Sequence, residues 1–349
     1  MFVYWGIFLI LAAGAMLNQN ERMRAPLLFV LVAAVPTALM IGLRWKIGPD
    51  WSAYADIFNY TKLFSFDRAI GRHQDPGFML LNLSLHQVDA PFWVLNFICG
   101  SVFITGLAAF ARRQPNPWLC FLVAFPYLVI VVGMSGDRQS LALGLLFFAF
   151  NAFDRGQLFR FVTLVLVAAL FHGSILLILP IGLLSYTRNN LQRALLLIAA
   201  AVLAYYFFTH VFGIYARRYS SEQIQSTGVA YRLAMNAAAA VIFLAFRRRF
   251  AMEEHQAKLW RNFSLCTLAL IALLIVIPSS TAIDRFLLYL FPLQFIVLSR
   301  VPSALSHSRV GAGQLTLTVI AYAAVVQVVF LQFGTYSRYY IPYRTIFQQ

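Results

Sequence analysis

The side chains in this sequence best able to do chemistry are arginines set beside carboxylates. The stretch from Arg44 to Tyr54, RWKIGPDWSAY, gathers an arginine, a lysine, an aspartate and two tryptophans around a Gly-Pro turn. Further along come Asp75, the adjacent Asp137 and Arg138, and His172 in the string Phe-His-Gly-Ser. Arg217, Arg218, Arg232 and the neighbours Asp284 and Arg285 follow. Arginine carries a planar fork of donors that matches phosphate oxygens. An ionised carboxylate or a neutral imidazole can take a proton.

Each of these residues also has a plainer use. Arg44 and Lys46 suit helix-end anchors whose heads snorkel to water. Asp50 lies in GPDW, a turn composition in which capping is as good a reading as chemistry. Asp137 suits the cap of the helix that follows it. Arg138 does not, because a cation is disfavoured at a helix N-terminus. His172 departs from an ordinary core histidine because Gly173 and Ser174 follow it where the apolar run breaks, and irregular backbone at membrane depth lines cavities. Asp284 and Arg285 could simply neutralise each other.

The elements that must position these residues are membrane helices. Of 349 residues, 61% are hydrophobic and 11% charged, against roughly 25% charged in a soluble domain. Apolar runs long enough for a ~30 Å hydrocarbon layer recur from end to end. The fold class is therefore all-α: a polytopic helical membrane protein forming a single membrane domain over 1–349. Spans are expected at 1–17, 26–43, 91–111, 117–133, 140–153, 191–210, 231–246, 260–278, 285–299 and 313–332. The run 158–186 is interrupted near residue 172 and reads as broken or re-entrant. Counted once, it makes about eleven spans. The external loop 44–90 and the tail 333–349 read as partly interfacial, since YADIFNYTKLFSF spaces aromatics and charges helically. The first run lacks a basic leader and a small-residue cleavage site, and reads as a retained helix.

Lysine and arginine placement sets the orientation. Arg247 to Arg249, with Lys258 and Arg261, mark the inside. Alternation then places Arg44, Asp50, Asp75, Arg138, Arg217, Arg218, Arg232, Asp284 and Arg285 on the outer side, with His172 just below. The net charge of +15 reads first as basic cytoplasmic loops and second as attraction to a polyanion such as a lipid diphosphate. The aromatic-interleaved basic surface of a nucleic-acid binder is missing. Cys99, Cys120 and Cys266 lie in apolar runs without metal-ligand spacing, so neither metal nor cofactor is expected.

Four strings occur in order: RWKIGPDWSAY, DPGFMLLN (75–82), GDRQSLAL (136–143) and FHGSILLILP (171–180). Together they resemble the EpsG/Wzy-type exopolysaccharide and O-antigen polymerase family. The correspondence covers Arg44, Gly48, Asp50 and Tyr54; Asp75 to Phe78; Arg138, Gln139 and Ala142; and Phe171, His172 and Ser174. Asp284, Arg285 and the terminal Ile-Pro-Tyr also fit. Asp75 stands where the family more often has glutamate, which shortens its reach.

The resemblance implies a glycosyltransferase in the plasma (inner) membrane of a bacterium. It would join undecaprenyl-diphosphate-linked oligosaccharide repeat units at the outer face. Donor and acceptor are both lipid-linked glycans, and a chain-length regulator is an expected partner. Such a reaction needs cations for the departing diphosphate and a base for the acceptor hydroxyl. Arg138 is the expected cation, with Arg44, Arg217, Arg218 and Arg285 in support. Asp50 and His172 are the expected bases, with Asp75 third. Tyr54, Gln139, Arg232 and Asp284 join the substrate-binding set. Rival readings are a glycan ligase, a glycosyltransferase using a monophosphate polyprenyl sugar, a flippase of the same lipid, and a structural subunit. No clear internal repeat, which a transporter would tend to carry, is visible.

Overall fold

The structure is a computed structural model. It describes residues 1–18, 26–67, 75–187, 228–276, 280–306 and 308–348, with isolated positions between 189 and 202. Among the described residues the secondary structure is helical, apart from one isolated bridge between Arg44 and Thr345. The protein is an all-α membrane protein. Among the described residues, six helices are long and apolar enough to cross a bilayer: Phe92–Ala111, Pro117–Ser135, Val229–Phe250, Glu254–Ile275, Ile283–Leu305 and Arg309–Phe333. Shorter apolar helices lie at Phe2–Leu17, Val30–Gly42, Leu158–Ala169 and Gly173–Tyr186. The expected span at 191–210 and the pair Arg217 and Arg218 lie largely or wholly outside the described residues.

The chain divides into two compact units. The first comprises Met1–Asn151, Val167–Gly173 and Leu298–Gln349. The second comprises Ala152–Leu166 and Ser174–Val297.

In the first unit, α1 is Phe2–Leu17 and α2 runs over 26–42 with a π-helical turn at Val30–Ala34. That turn sits just ahead of Pro36, whose ring and missing N–H disturb the preceding helical ladder. Helix α3, Trp51–Thr61, buries Tyr54, Phe58 and Thr61. Their spacing of four, then three, is one helical stripe. It packs in one apolar cluster with Phe78, Met79 and Leu85 of α4 (Pro76–Gln87), with Leu95 and Cys99 of α5 (Phe92–Ala111), and with Leu141. Next come α6 (Pro117–Ser135) and α7 (Asp137–Asp154), which starts within two residues of its end. The C-terminal helix runs over Arg309–Phe333.

Two expectations shift. The helix expected at 260–278 starts at Glu254. Lys258 and Arg261 are therefore helical, and Lys258 pairs with Glu254 one turn away at 2.6 Å. The tail holds 3-10 turns, Ser337–Tyr339 and Ile346–Gln348. Its backbone is occupied instead in pairing with 43–48, where Trp45 N–H donates to Arg344 O at 3.0 Å and Ile346 N–H to Leu43 O at 3.0 Å.

The interruption expected near residue 172 is present. α8 (Leu158–Ala169) stops, and a 3-10 segment Gly173–Leu177 leads into α9 (Ile178–Tyr186).

Candidate functional site

The centre of the first unit's polar cluster is Asp75. It occupies the N-cap position of α4, yet its side chain makes no cap bond. The carboxylate reaches outward instead. Oδ2 accepts from Arg138 Nη1 at 2.7 Å, and Oδ1 accepts from the Gly173 N–H at 3.3 Å. One carboxylate thus ties the first turn of α7 to the break after α8. Gly77 makes this possible. Its N–H donates to Leu170 O at 2.8 Å, and a Cβ there would lie 2.8 Å from Leu170 Cβ.

Arg138 is also held from a second side. Its Nε lies 3.5 Å from the Tyr54 hydroxyl. Its guanidinium stands 5.5 Å from the Tyr54 ring centroid and 5.9 Å from that of Phe78, within cation–π range. The Arg138 side chain remains 30% exposed while Asp75 is 8% exposed. The cation can therefore be reached from outside, and the carboxylate behind it much less so. Burial pushes the Tyr54 phenol up to about 12, with the nearby guanidinium pulling the other way. Tyr54 keeps its proton and remains able to donate.

Asp50 sits at the N-cap of α3, again without a side-chain cap bond. It is exposed, and Oδ2 accepts from Ser135 Oγ at 2.8 Å. Three constraints fix the turn that carries it. Gly48 has φ 94°, and a Cβ there would collide with the Met134 carbonyl oxygen. Its N–H donates to Tyr339 O at 3.0 Å. Tyr340, buried beside this turn and close to Ser135, donates its hydroxyl to Val131 O at 3.1 Å.

Arg44 lies deeper. Nη2 meets Asp137 Oδ1 at 2.6 Å, and both side chains are 0% exposed. Nη1 donates to Ile41 O at 2.8 Å. Asp137 stands in the first turn of α7, where a carboxylate is favoured by the helix dipole. Expected as a substrate contact, Arg44 has no surface to offer one. The geometry gives it a structural task, fixing α2 to α7.

His172 is half-buried at the break, next to the Gly173 N–H that Asp75 holds. Gln139 is half-buried beside Arg138. In the second unit, Arg232 and Asp284 form a bidentate pair, Nε–Oδ1 at 2.7 Å and Nη2–Oδ2 at 2.8 Å. Arg285, an expected supporting cation, is the half-buried neighbour of Asp284. Arg217 and Arg218 lie outside the described residues.

The residues that sequence reasoning missed are Ser135, Tyr340 and the partnership of Arg44 with Asp137. Ser135 stands two residues before Asp137 in the MSGDRQS turn, and Tyr340 directly precedes Ile-Pro-Tyr. Adjacency to the motifs was the available signal.

Residues from all four strings therefore meet in the first unit: Tyr54 contacts Arg138, Arg138 contacts Asp75 and Asp75 contacts Gly173, with Asp50 at the N-cap of the helix that carries Tyr54. A family model, that of the EpsG family, matches residues 27–345. The chain belongs to the EpsG family. No curated protein and no solved structure matches it. Family membership supports a polysaccharide polymerase-type function acting on lipid-linked glycan, in general terms.

Proposed function

We propose that this EpsG-family protein is a glycosyltransferase of the bacterial plasma (inner) membrane that polymerises undecaprenyl-diphosphate-linked repeat units at its outer face, working as one membrane domain. The observation that carries the reading is Arg138, partly exposed and aimed by Asp75 and Tyr54.

In the reaction, the acceptor hydroxyl oxygen forms a bond to the donor's anomeric carbon. The bond from that carbon to the diphosphate oxygen breaks, and the electron pair leaves with undecaprenyl diphosphate. The hydroxyl proton passes to a base. Arg138 stabilises the charge that grows on the leaving diphosphate, a task suited to a preorganised guanidinium. Asp50 is the base favoured here. It is exposed, and Ser135 engages one of its oxygens. Asp75 has both oxygens occupied by Arg138 and Gly173, so it acts by aiming the guanidinium. His172 stays a second candidate for the base at the edge of the site. Arg44 acts as a positioning residue through Asp137, while Tyr54 and Gln139 flank the substrate. Arg217, Arg218, Arg232, Asp284 and Arg285 are kept as proposed substrate contacts. A chain-length regulator is a further proposed partner.

The test is the surface polysaccharide of a deletion strain complemented with this chain. A restored ladder of product lengths supports a polymerase. Transfer of a single unit supports a ligase. Accumulation of lipid-linked units on the inner face without the chain supports a flippase.

A further inference from the structure

The second unit holds a cation-lined cavity that the polymerase reading does not use. The helix Val229–Phe246, labelled α10, passes into the 3-10 turn Arg247–Phe250, and the chain reverses through Ala251 at φ 46°. The next helix, α11 (Glu254–Val276), packs back against α10. Where they meet, a cavity of about 260 Å³ is lined by Arg247, Glu254, Ala257, Lys258 and Arg261. The four α11 residues share one face, at spacings of three, four and seven. Ala257, the smallest of them, leaves the space open.

The charges around this space do not cancel. Three cations face one carboxylate, and Glu254 is already bound to Lys258 at 2.6 Å. Arg261 donates Nη2 to Asn262 Oδ1 at 3.3 Å, but its Nε is buried and makes no hydrogen bond within the structure. A buried guanidinium nitrogen left in that state is costly. The wall itself is fixed. Gln256 Nε2 donates to Asp154 O at 3.4 Å, and Asn262 Nδ2 donates to Ser185 Oγ at 2.9 Å.

The surroundings favour one ligand class. Val229–Phe250 and Glu254–Ile275 are each long and apolar enough to cross the bilayer. The turn joining them therefore lies at the boundary of the apolar layer, at the depth of lipid phosphates. Arg249 packs over the ring of exposed Phe246 at 5.7 Å, an arrangement suited to that boundary. We propose that the cavity binds the phosphate of an anionic phospholipid from the adjacent leaflet, through Arg247, Lys258 and Arg261. Guanidinium forks match phosphate oxygens, and basic pockets between membrane helices take such head groups. The site is independent of the polymerase reading.

The test is native mass spectrometry of the purified full chain, stripped of lipid in a neutral detergent and then given phosphatidylglycerol or phosphatidylcholine. One phosphatidylglycerol should be retained in preference to phosphatidylcholine. Arg247→Gln, at an exposed position, and Arg261→Gln should each weaken that retention by about fivefold. Arg248→Gln, an exposed neighbour that does not line the cavity, should leave it unchanged. Equal retention of the two lipids overturns the proposal, as does equal weakening by Arg248→Gln. Binding of inorganic phosphate with no preference between the lipids would make this a soluble-anion site and overturn the lipid assignment.

Discussion

Arg138 and Asp75 meet at 2.7 Å, the first at the start of α7 and the second at the N-terminus of α4, with the cation far more exposed than the carboxylate. A pair built only for stability would not need this asymmetry. Exchanging the two, as Arg138→Asp with Asp75→Arg, should keep the protein inserted and folded without restoring polymer. Arg138→Ala should lower turnover by about 10²- to 10³-fold, the usual cost of one preorganised donor to a developing anion. Arg138→Lys should fall between, because it keeps charge and loses the fork. Recovery of wild-type turnover by the exchanged pair would contradict this role.

Asp50 and Ser135 divide chemistry from positioning. Asp50→Asn should abolish chain growth at unchanged membrane level. Ser135→Ala removes one hydrogen bond to the carboxylate and should reduce kcat by about tenfold or less, with Ser135→Thr recovering much of it. The readout is polymer formed per folded protein over a range of acceptor concentration. An Asp50→Asn variant of full activity would move the base to His172, and His172→Ala decides that.

Tyr54 gives a pH signature with a definite sign. Its phenol is pushed up to about 12, chiefly by burial, whereas an unfolded tyrosine ionises near 10. The folded value is the higher one. Stability from keeping Tyr54 neutral is therefore present below about pH 10 and drains away as the pH rises toward about 12. Melting temperature should fall through that window, and Tyr54→Phe should fall less steeply. Parallel melting curves for the two proteins would contradict the assignment.

Arg44 and Asp137 predict a stability effect rather than a binding effect. Both are fully buried, and removing one partner strands the other charge at a cost of about 3–5 kcal/mol. Arg44→Ala should thus melt far below wild type in detergent. The double replacement Arg44→Met with Asp137→Leu should recover much of the loss. An Arg44→Ala protein of native stability and raised KM alone would return Arg44 to the substrate.

Much of the site was legible because its residues sit in short strings whose order survives in the chain. Arg138 stood out through its place at a helix start, and the Phe-His-Gly-Ser string marked a real break. The burial of Arg44 was not legible. Its partner lies 93 residues away, and a turn read locally gives a snorkelling anchor just as readily. The start of α11 was read late because hydropathy marks where lipid begins, while a helix can run on into water through Glu254 and Lys258. The tail reads as partly interfacial helix. Gly334 and Pro342 interrupt it, and its backbone pairs with 43–48. The placement of Tyr340 beside the Asp50 turn depends on that long-range pairing, so no local pattern announced it.

The most direct test uses the purified protein in liposomes with undecaprenyl-diphosphate-linked repeat units, and resolves the products by length over time. Wild type should build a ladder and release undecaprenyl diphosphate in step with each added unit. Arg138→Ala, folded by its melting curve, should leave single units unjoined and release none. A ladder growing at the wild-type rate with Arg138→Ala would contradict the account at its centre.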